Sequence, residues 1–246
     1  MCTVTYLPTS DTTFILTSSR DERIARKPAL FPVYKHTPFH AKVLFPQDGD
    51  KGGTWIASSS TLTVCLLNGA FENHVPEPPY RLSRGLVVVS VFDYASVDEF
   101  IHAYNFQGIE PFTMIMVQHA STVILTELRW DGKEKHISKT NSQQPYIWSS
   151  VTLYDRQMIE ERTLWFSQWL QEKAFNVESI RGFHQSGGKG TDTSYNIRMN
   201  RPGLVSTVSI TSVEVEISLL RMYYEDLATN TLAQQTFRRL AYPQII

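Results

Sequence analysis

Cysteine is scarce in this sequence. Only Cys2 and Cys65 occur among 246 residues. Two distant thiols make neither a disulfide framework nor a zinc cluster, and whether they pair depends on the fold. No run of about 20 apolar residues occurs, so no membrane insertion is expected. The opening "MCTVTYLPTSD" lacks the basic n-region and apolar h-region of a secretory signal. Together these features give a cytoplasmic expectation. Neither sign of charge is in excess. Lys and Arg number 23 and Asp and Glu 24, a net charge of −1, so composition does not point to a nucleic-acid partner. Internal repeats and low-complexity tracts are missing, and no convincing linker divides the chain. One domain over residues 1–246 is the expectation.

What is present suits an ordered core. Hydrophobic residues make up 42% and aromatics 12%, too many for a disordered chain. Short β-rich runs come first. "TVTYL" and "TFILTS", separated by "PTSDT", read as a hairpin. "GGTWIAS" and "TLTVCLLN", joined by "SST", read as a second. "HVPEPPY" reads as a surface loop. "SVDEFIHAYNF" has a serine cap and an acidic first turn, which predicts a short helix. Three strands follow in "FTMIMVQHA", "TVILTELRW" and "KEKHISK", with "DGK" as a hairpin turn. The clearest helix is "YDRQMIEERTLWFSQWLQEK", with Met158, Leu164, Trp165 and Trp169 at roughly helical spacing. "NVESIRGFHQ" predicts a shorter helix, and "LVSTVSITS" and "EVEISLLRMYY" two closing strands. That order implies an α+β layered sandwich of mostly antiparallel sheets.

The first hairpin brings chemistry together. A turn centred on Asp11 and Thr12 sets Cys2 opposite Asp21; a turn one residue earlier sets it opposite Ser19. Opposed residues have Cβ atoms about 5 Å apart. Either register puts the thiol and the Arg20-Asp21 cluster at the open end of one hairpin. A small residue at position 2 permits removal of Met1. The freed α-amine, with a pKa of about 7.7–8.0, is then a general base for its own thiol. Arg20 favours the thiolate, and Asp21 orients the amine. The bland alternative is a strand-initiating cysteine beside an ordinary surface ion pair.

Other candidates weigh less. The histidines are scattered, and His36 and His40, four apart, are flanked by prolines that disfavour a helical metal face. "GFHQSGGKGTDTS" has Gly190, not Ser or Thr, after its Gly-Lys, and reads as a flexible loop able to cover a cleft. Trp165, Phe166 and Trp169 read as core packing, and Cys65, inside an apolar strand, as inert.

Three ordered blocks carry a family resemblance. "MCT" with Ser19-Arg20-Asp21-Glu22, then "KGGTWIASSSTLTVCLLNGAF", then "LSRGLVV" resemble the NRDE (transport and Golgi organisation protein 2-like) family over roughly residues 1–90. The resemblance implies an N-terminal-nucleophile hydrolase fold, a four-layer αββα sandwich with Cys2 at the mouth of a cleft. Asp21 matches the acidic residue near the nucleophile. Asn68 matches an asparagine that helps bind the oxyanion, a contact worth about 3–4 kcal/mol of barrier. The chain also departs from the pattern. Ser19 replaces the first Asn of the tetrad. Ser149 stands where an asparagine oxyanion donor is usual, near the start of the long helix. Leu204 stands where the late strand has an Arg, for which Arg198 or Arg201 are stand-ins.

The resemblance therefore implies a small-molecule substrate cleaved at a carbon–nitrogen amide bond through an acyl-enzyme, with no metal or organic cofactor required. Cys2, Asp21, Arg20, Asn68 and Ser149 are the candidate site. The alternative it implies is a non-catalytic carrier of a hydrophobic ligand, haem included, on the same fold. The sequence leaves the oligomeric state open.

Overall fold

The first 68 residues lay down six strands before any helix forms. β1 (Cys2–Pro8) and β2 (Phe14–Arg23) make the first hairpin. β3 (Leu30–Lys35) and β4 (Val43–Gln47) follow, then the hairpin of β5 (Ile56–Ser58) and β6 (Leu62–Asn68). A computed structural model describes residues 2–172, 174–188 and 193–239, Cys2 through its backbone. Next come α1 (Arg84–Ser90), a 3-10 turn at Val91–Asp93 and α2 (Val97–Ala103). Ser96 caps α2 by accepting from the Glu99 amide at 3.0 Å, as its position predicts.

β7 (Phe112–His119), β8 (Val123–Trp130) and β9 (Lys135–Thr140) form a meander, and β10 (Tyr146–Ser149) leads to α3 (Arg156–Glu172) and α4 (Val177–Ser186). Asp155 starts α3 by accepting from the Met158 amide at 2.8 Å. Short β11 (Asn200–Arg201), then β12 (Val205–Val215), β13 (Leu219–Asp226) and β14 (Thr231–Arg238) complete the described chain. Among the described residues no helix is long and apolar enough to cross a membrane.

Two antiparallel sheets result. One runs β10-β1-β2-β12-β13-β14, with β11 on β12; the other runs β3 to β9 in chain order. Strand alternation explains how they stack. Val4, Tyr6, Phe14 and Leu16 of the first sheet pack with Cys65, Leu67, Ile115 and Val117 of the second. Their neighbours face outward under helices. Leu7 and Ile15 pack with Trp165, Phe166 and Trp169 of α3 and Ile180 and Phe183 of α4. Leu62, Val64, Met114 and Met116 pack with Val87 and Val88 of α1 and Phe100 of α2. The order of layers is helix, sheet, sheet, helix, the four-layer αββα sandwich of the N-terminal-nucleophile hydrolases.

The inward stripe of α3 differs from expectation. Met158, Arg162, Trp165, Phe166 and Trp169 are buried, whereas Leu164 is 52% exposed. Positions i, i+4, i+7, i+8 and i+11 make one helical face, so Arg162 occupies the core register and Leu164 does not. The strand pair read from the closing sequence also shifts, because Glu214 and Val215 end β12 and do not begin β13.

Candidate active site

The loop of the first hairpin decides what opposes Cys2. Residues 9–13 form it, and the Thr9 and Ser10 amides donate to the Thr13 carbonyl at 3.0 and 3.3 Å. An odd loop shifts the pairing by one relative to an even turn. Cys2 therefore pairs with Arg20, and Thr3 with Ser19. Neither expected partner, Asp21 or Ser19, stands opposite it. The cysteine side chain itself, and with it the expected approach of the thiol to Asp21, lies outside the described residues.

Arg20 and Asp21 are adjacent on β2, so their side chains leave opposite faces. Arg20 lies among cavity-lining residues between β2, the 48–55 turn and α1. It is only 4% exposed, and its guanidinium carbon sits 4.6 Å from the Trp55 ring centroid. Its Nη2 donates to Asp48 at 2.6 Å and lies 3.5 Å from Glu22. Asp48 also accepts from Arg26 Nε and Nη2, each at 3.0 Å, and from the Lys51 amide at 2.9 Å. Burial pushes the Asp48 carboxyl up. The bonds from Arg26 and Lys51 and the charges of Arg26 and Arg20 outweigh that and hold it below the ordinary range.

The cavity measures about 560 Å³ and draws on all three sequence blocks. Arg20 and Glu22 come from the first, Thr54, Trp55 and Asn68 from the second, and Ser83 and Gly85 from the third. Glycine makes the junction possible. A Cβ on Gly53 would stand 2.4 Å from the Gly85 carbonyl carbon, and the Thr54 amide donates to the Gly85 carbonyl at 3.0 Å.

Asn68 ends β6 at the cavity wall. Its carbonyl accepts from the Ser150 hydroxyl at 2.8 Å. Gly69 follows with φ +82, a left-handed turn that a side chain disfavours. Ser149 is placed differently from expectation. It ends β10, pairs through its backbone with Thr3, and is separated from α3 by residues 150–155. It is not among the residues lining the cavity.

Asp21 belongs to a buried polar layer under the helices and has no exposed surface. Thr207 donates to its Oδ1 at 2.6 Å, and the Tyr154 hydroxyl donates to its Oδ2. A register slip in β12 between Thr207 and Ser209 leaves Thr207 opposite Asp21. Arg162 stacks on Tyr154, 3.6 Å from the ring centroid. It donates to the Thr3 hydroxyl and to the Asn196 carbonyl, the latter at 2.6 Å. Burial pushes the Asp21 carboxyl up, and the Arg162 charge with the Thr207 and Tyr154 bonds offsets only part of that rise. Beside it, His184 of α4 bridges two hydroxyls. Its Nε2 lies 2.8 Å from Thr5 and its Nδ1 2.7 Å from Ser19. A neutral ring donates to one hydroxyl and accepts from the other. Burial, with Arg181 and Arg162 nearby, lowers its pKa to about 3.

Sequence reasoning missed Tyr154, Arg162, His184 and Thr207. The one available signal was Arg162 at i+4 from Met158 on an otherwise apolar stripe. The expected stand-ins for Leu204 lie elsewhere. Arg198 is exposed, Arg201 donates to the Leu153 carbonyl at 3.3 Å, and Leu204 is itself 67% exposed. Of the glycine loop, residues 189–192 lie outside the described residues.

A cavity assembled from the three ordered blocks raises the question of kinship. The family model described as "Transport and Golgi organisation 2" matches residues 1–195. The chain belongs to that family. No curated protein is significantly similar to this Transport and Golgi organisation 2 family member in sequence. Solved structures resemble its fold. A penicillin V acylase from Agrobacterium tumefaciens superposes with a TM-score of 0.54 at 13% identity, covering 95% of this chain and 85% of the acylase. A Caenorhabditis elegans orthologue of N-acylethanolamine-hydrolyzing acid amidase superposes at 0.57 with 15% identity, covering 86% and 92%.

Proposed function

We propose that this protein is an N-terminal cysteine hydrolase cleaving a carbon–nitrogen amide bond in a small molecule. One observation carries the reading: the backbone of Cys2 is paired with Arg20, whose side chain shares a cavity with Asn68. The names of the two similar structures, an acylase and an amidase, fit it.

After loss of Met1, the α-amine takes the thiol proton. The thiolate adds to the amide carbonyl carbon, and the oxygen gains a negative charge that Asn68 and a backbone amide stabilise. The C–N bond then breaks. The terminal ammonium returns its proton to the departing amine, and a thioester remains. Water, deprotonated by the same α-amine, cleaves the thioester and releases the acid. Arg20 favours the thiolate by its charge. Each Asp21 oxygen accepts one described bond and keeps a further lone pair, so Asp21 retains capacity for the terminal ammonium.

A second reading, non-catalytic binding of a hydrophobic molecule such as haem, is favoured by the place of Ser149 outside the cavity lining. It expects a co-purifying ligand or a Soret band, and no turnover of acyl-amides. Intact mass spectrometry with a thiol-directed acylating probe tests the first reading. The expected result is absence of Met1 and a single adduct that Cys2→Ala abolishes. Retained Met1, or labelling unchanged by Cys2→Ala, overturns it.

A further inference from the structure

The charges lining the cavity do not balance. Its carboxylates are Glu22, Asp48 and Glu110, and every one is already engaged. Glu22 lies 3.5 Å from Arg20 and 3.3 Å from Arg26. Asp48 binds both of those arginines, at 2.6 and 3.0 Å. Glu110 accepts from Arg84 at 3.0 Å and stands 3.2 Å from His74 Nε2.

Two further cations, Lys51 and Arg81, line the same cavity. Neither has a carboxylate partner among the described residues. Arg81 is fixed in place, because its Nε donates to the Gln107 carbonyl at 3.1 Å and its Nη2 to the Asn105 carbonyl. Both acceptors are neutral, and this exposed guanidinium has its carbon 5.9 Å from the Tyr104 ring centroid, so no carboxylate balances its charge. Its Nη1 makes no hydrogen bond among the described residues. A guanidinium held in this way keeps donors free for a planar or tetrahedral anion and has little rotamer freedom left to lose on binding. Trp55, Leu66, Leu82 and Leu86 supply apolar wall in the same cavity.

We infer that this cavity binds an amphiphilic amide with an anionic end, a carboxylate or a phosphate, which Arg81 receives while the apolar wall takes the acyl chain. This deepens the hydrolase reading and rests on it only for the fate of the ligand. A neutral amide leaves the surplus charge unmatched, and an anionic one neutralises it.

The test uses the full chain carrying Cys2→Ala, so that binding is read without turnover. Three probes share one acyl chain: N-octanoylglycine, N-octanoyl-phosphoethanolamine and neutral N-octanoylethanolamine. Calorimetry should show one or both anionic probes binding about tenfold to a hundredfold more tightly than the neutral one, the range of a hydrogen bond to a charged group. The comparison between glycine and phosphate ends tells a carboxylate site from a phosphate site. The preference should shrink at high salt and disappear in Arg81→Gln, while Arg81→Lys should retain part of it.

Equal binding of the neutral probe, failure of every probe to bind, or a preference that survives Arg81→Gln overturns the inference. The two proposals also fail separately. Equal kcat/KM of the wild-type enzyme on neutral and anionic probes defeats the anion site and leaves the hydrolase. Anion-selective binding with no turnover defeats the hydrolase and leaves the site.

Discussion

Acid should weaken this fold through His184 in a way that can be calculated. In the unfolded chain a histidine takes its proton near pH 6.5, while in the fold burial holds His184 to about 3. Between those values the unfolded state binds the extra proton and the folded state does not. A depressed histidine therefore contributes fully above pH 6.5, and its contribution is lost as pH falls towards 3. From pH 7 to pH 4 the loss is about 3 kcal/mol for this one ring. His119, also lowered to about 3 by burial and the Arg239 charge, adds a similar amount. Asp21 works with the opposite sign. Its raised pKa stabilises the fold while protonated, and that contribution is lost as pH rises through the folded value. Comparison with a variant isolates His184 from both.

His184→Gln keeps a donor and an acceptor for Thr5 and Ser19 but cannot titrate. At pH 7 it should be less stable than wild type by about 1–3 kcal/mol through lost packing and imperfect bonds. By pH 4 the gap should have moved by about 3 kcal/mol in favour of the variant, because only wild type pays for keeping a neutral ring. Urea denaturation at pH 7, 6, 5 and 4 reads the gap from the midpoints. A gap that stays constant over this range refutes the reasoning. So does an NMR titration that finds the folded ring protonating near pH 6.5.

Arg162→Met should cost about 2–5 kcal/mol, because it strips a buried cation from Thr3 and two backbone carbonyls while Tyr154 loses its stacking partner. Urea midpoints check this, and a loss under about 1 kcal/mol contradicts a structural role for the guanidinium. Gly53→Ala should cost about 1–3 kcal/mol or more, because its methyl meets the backbone of Gly85 and Leu86, which cannot rotate away. A thermal scan that shows an unchanged midpoint rejects the close junction between those blocks.

The elements that were legible in the sequence have a strong local period. β6 alternates between two apolar surroundings, and α2 announces itself by its serine cap. β3 and β4 were not legible. Pro32 and Pro46 interrupt them, and proline ordinarily argues against a strand. The fold tolerates Pro32 because β3 is an edge strand, and β4 pairs only briefly with β5 at Leu44 and Ser58. α1 was hidden for a different reason. "RGLVVVS" holds a β-branched run that favours a strand, and burial of Val87 and Val88 against β6 overrides that preference.

The sequence alone determined the composition of the layers and the three blocks from which the cavity is built, since periodicity and motif spacing are local properties. It also kept Cys2 at the end of a hairpin beside the Arg20 cluster. Tertiary structure decided the rest. A five-residue loop in place of an even turn chose Arg20 as the strand partner of Cys2. Alternation along β2 then sent Arg20 to the cavity and Asp21 to the helices, where Tyr154, Thr207 and Arg162 arrive from at least 133 residues away. Such pairings depend on register and on burial of charge, and neither is written in the spacing of residues along a chain.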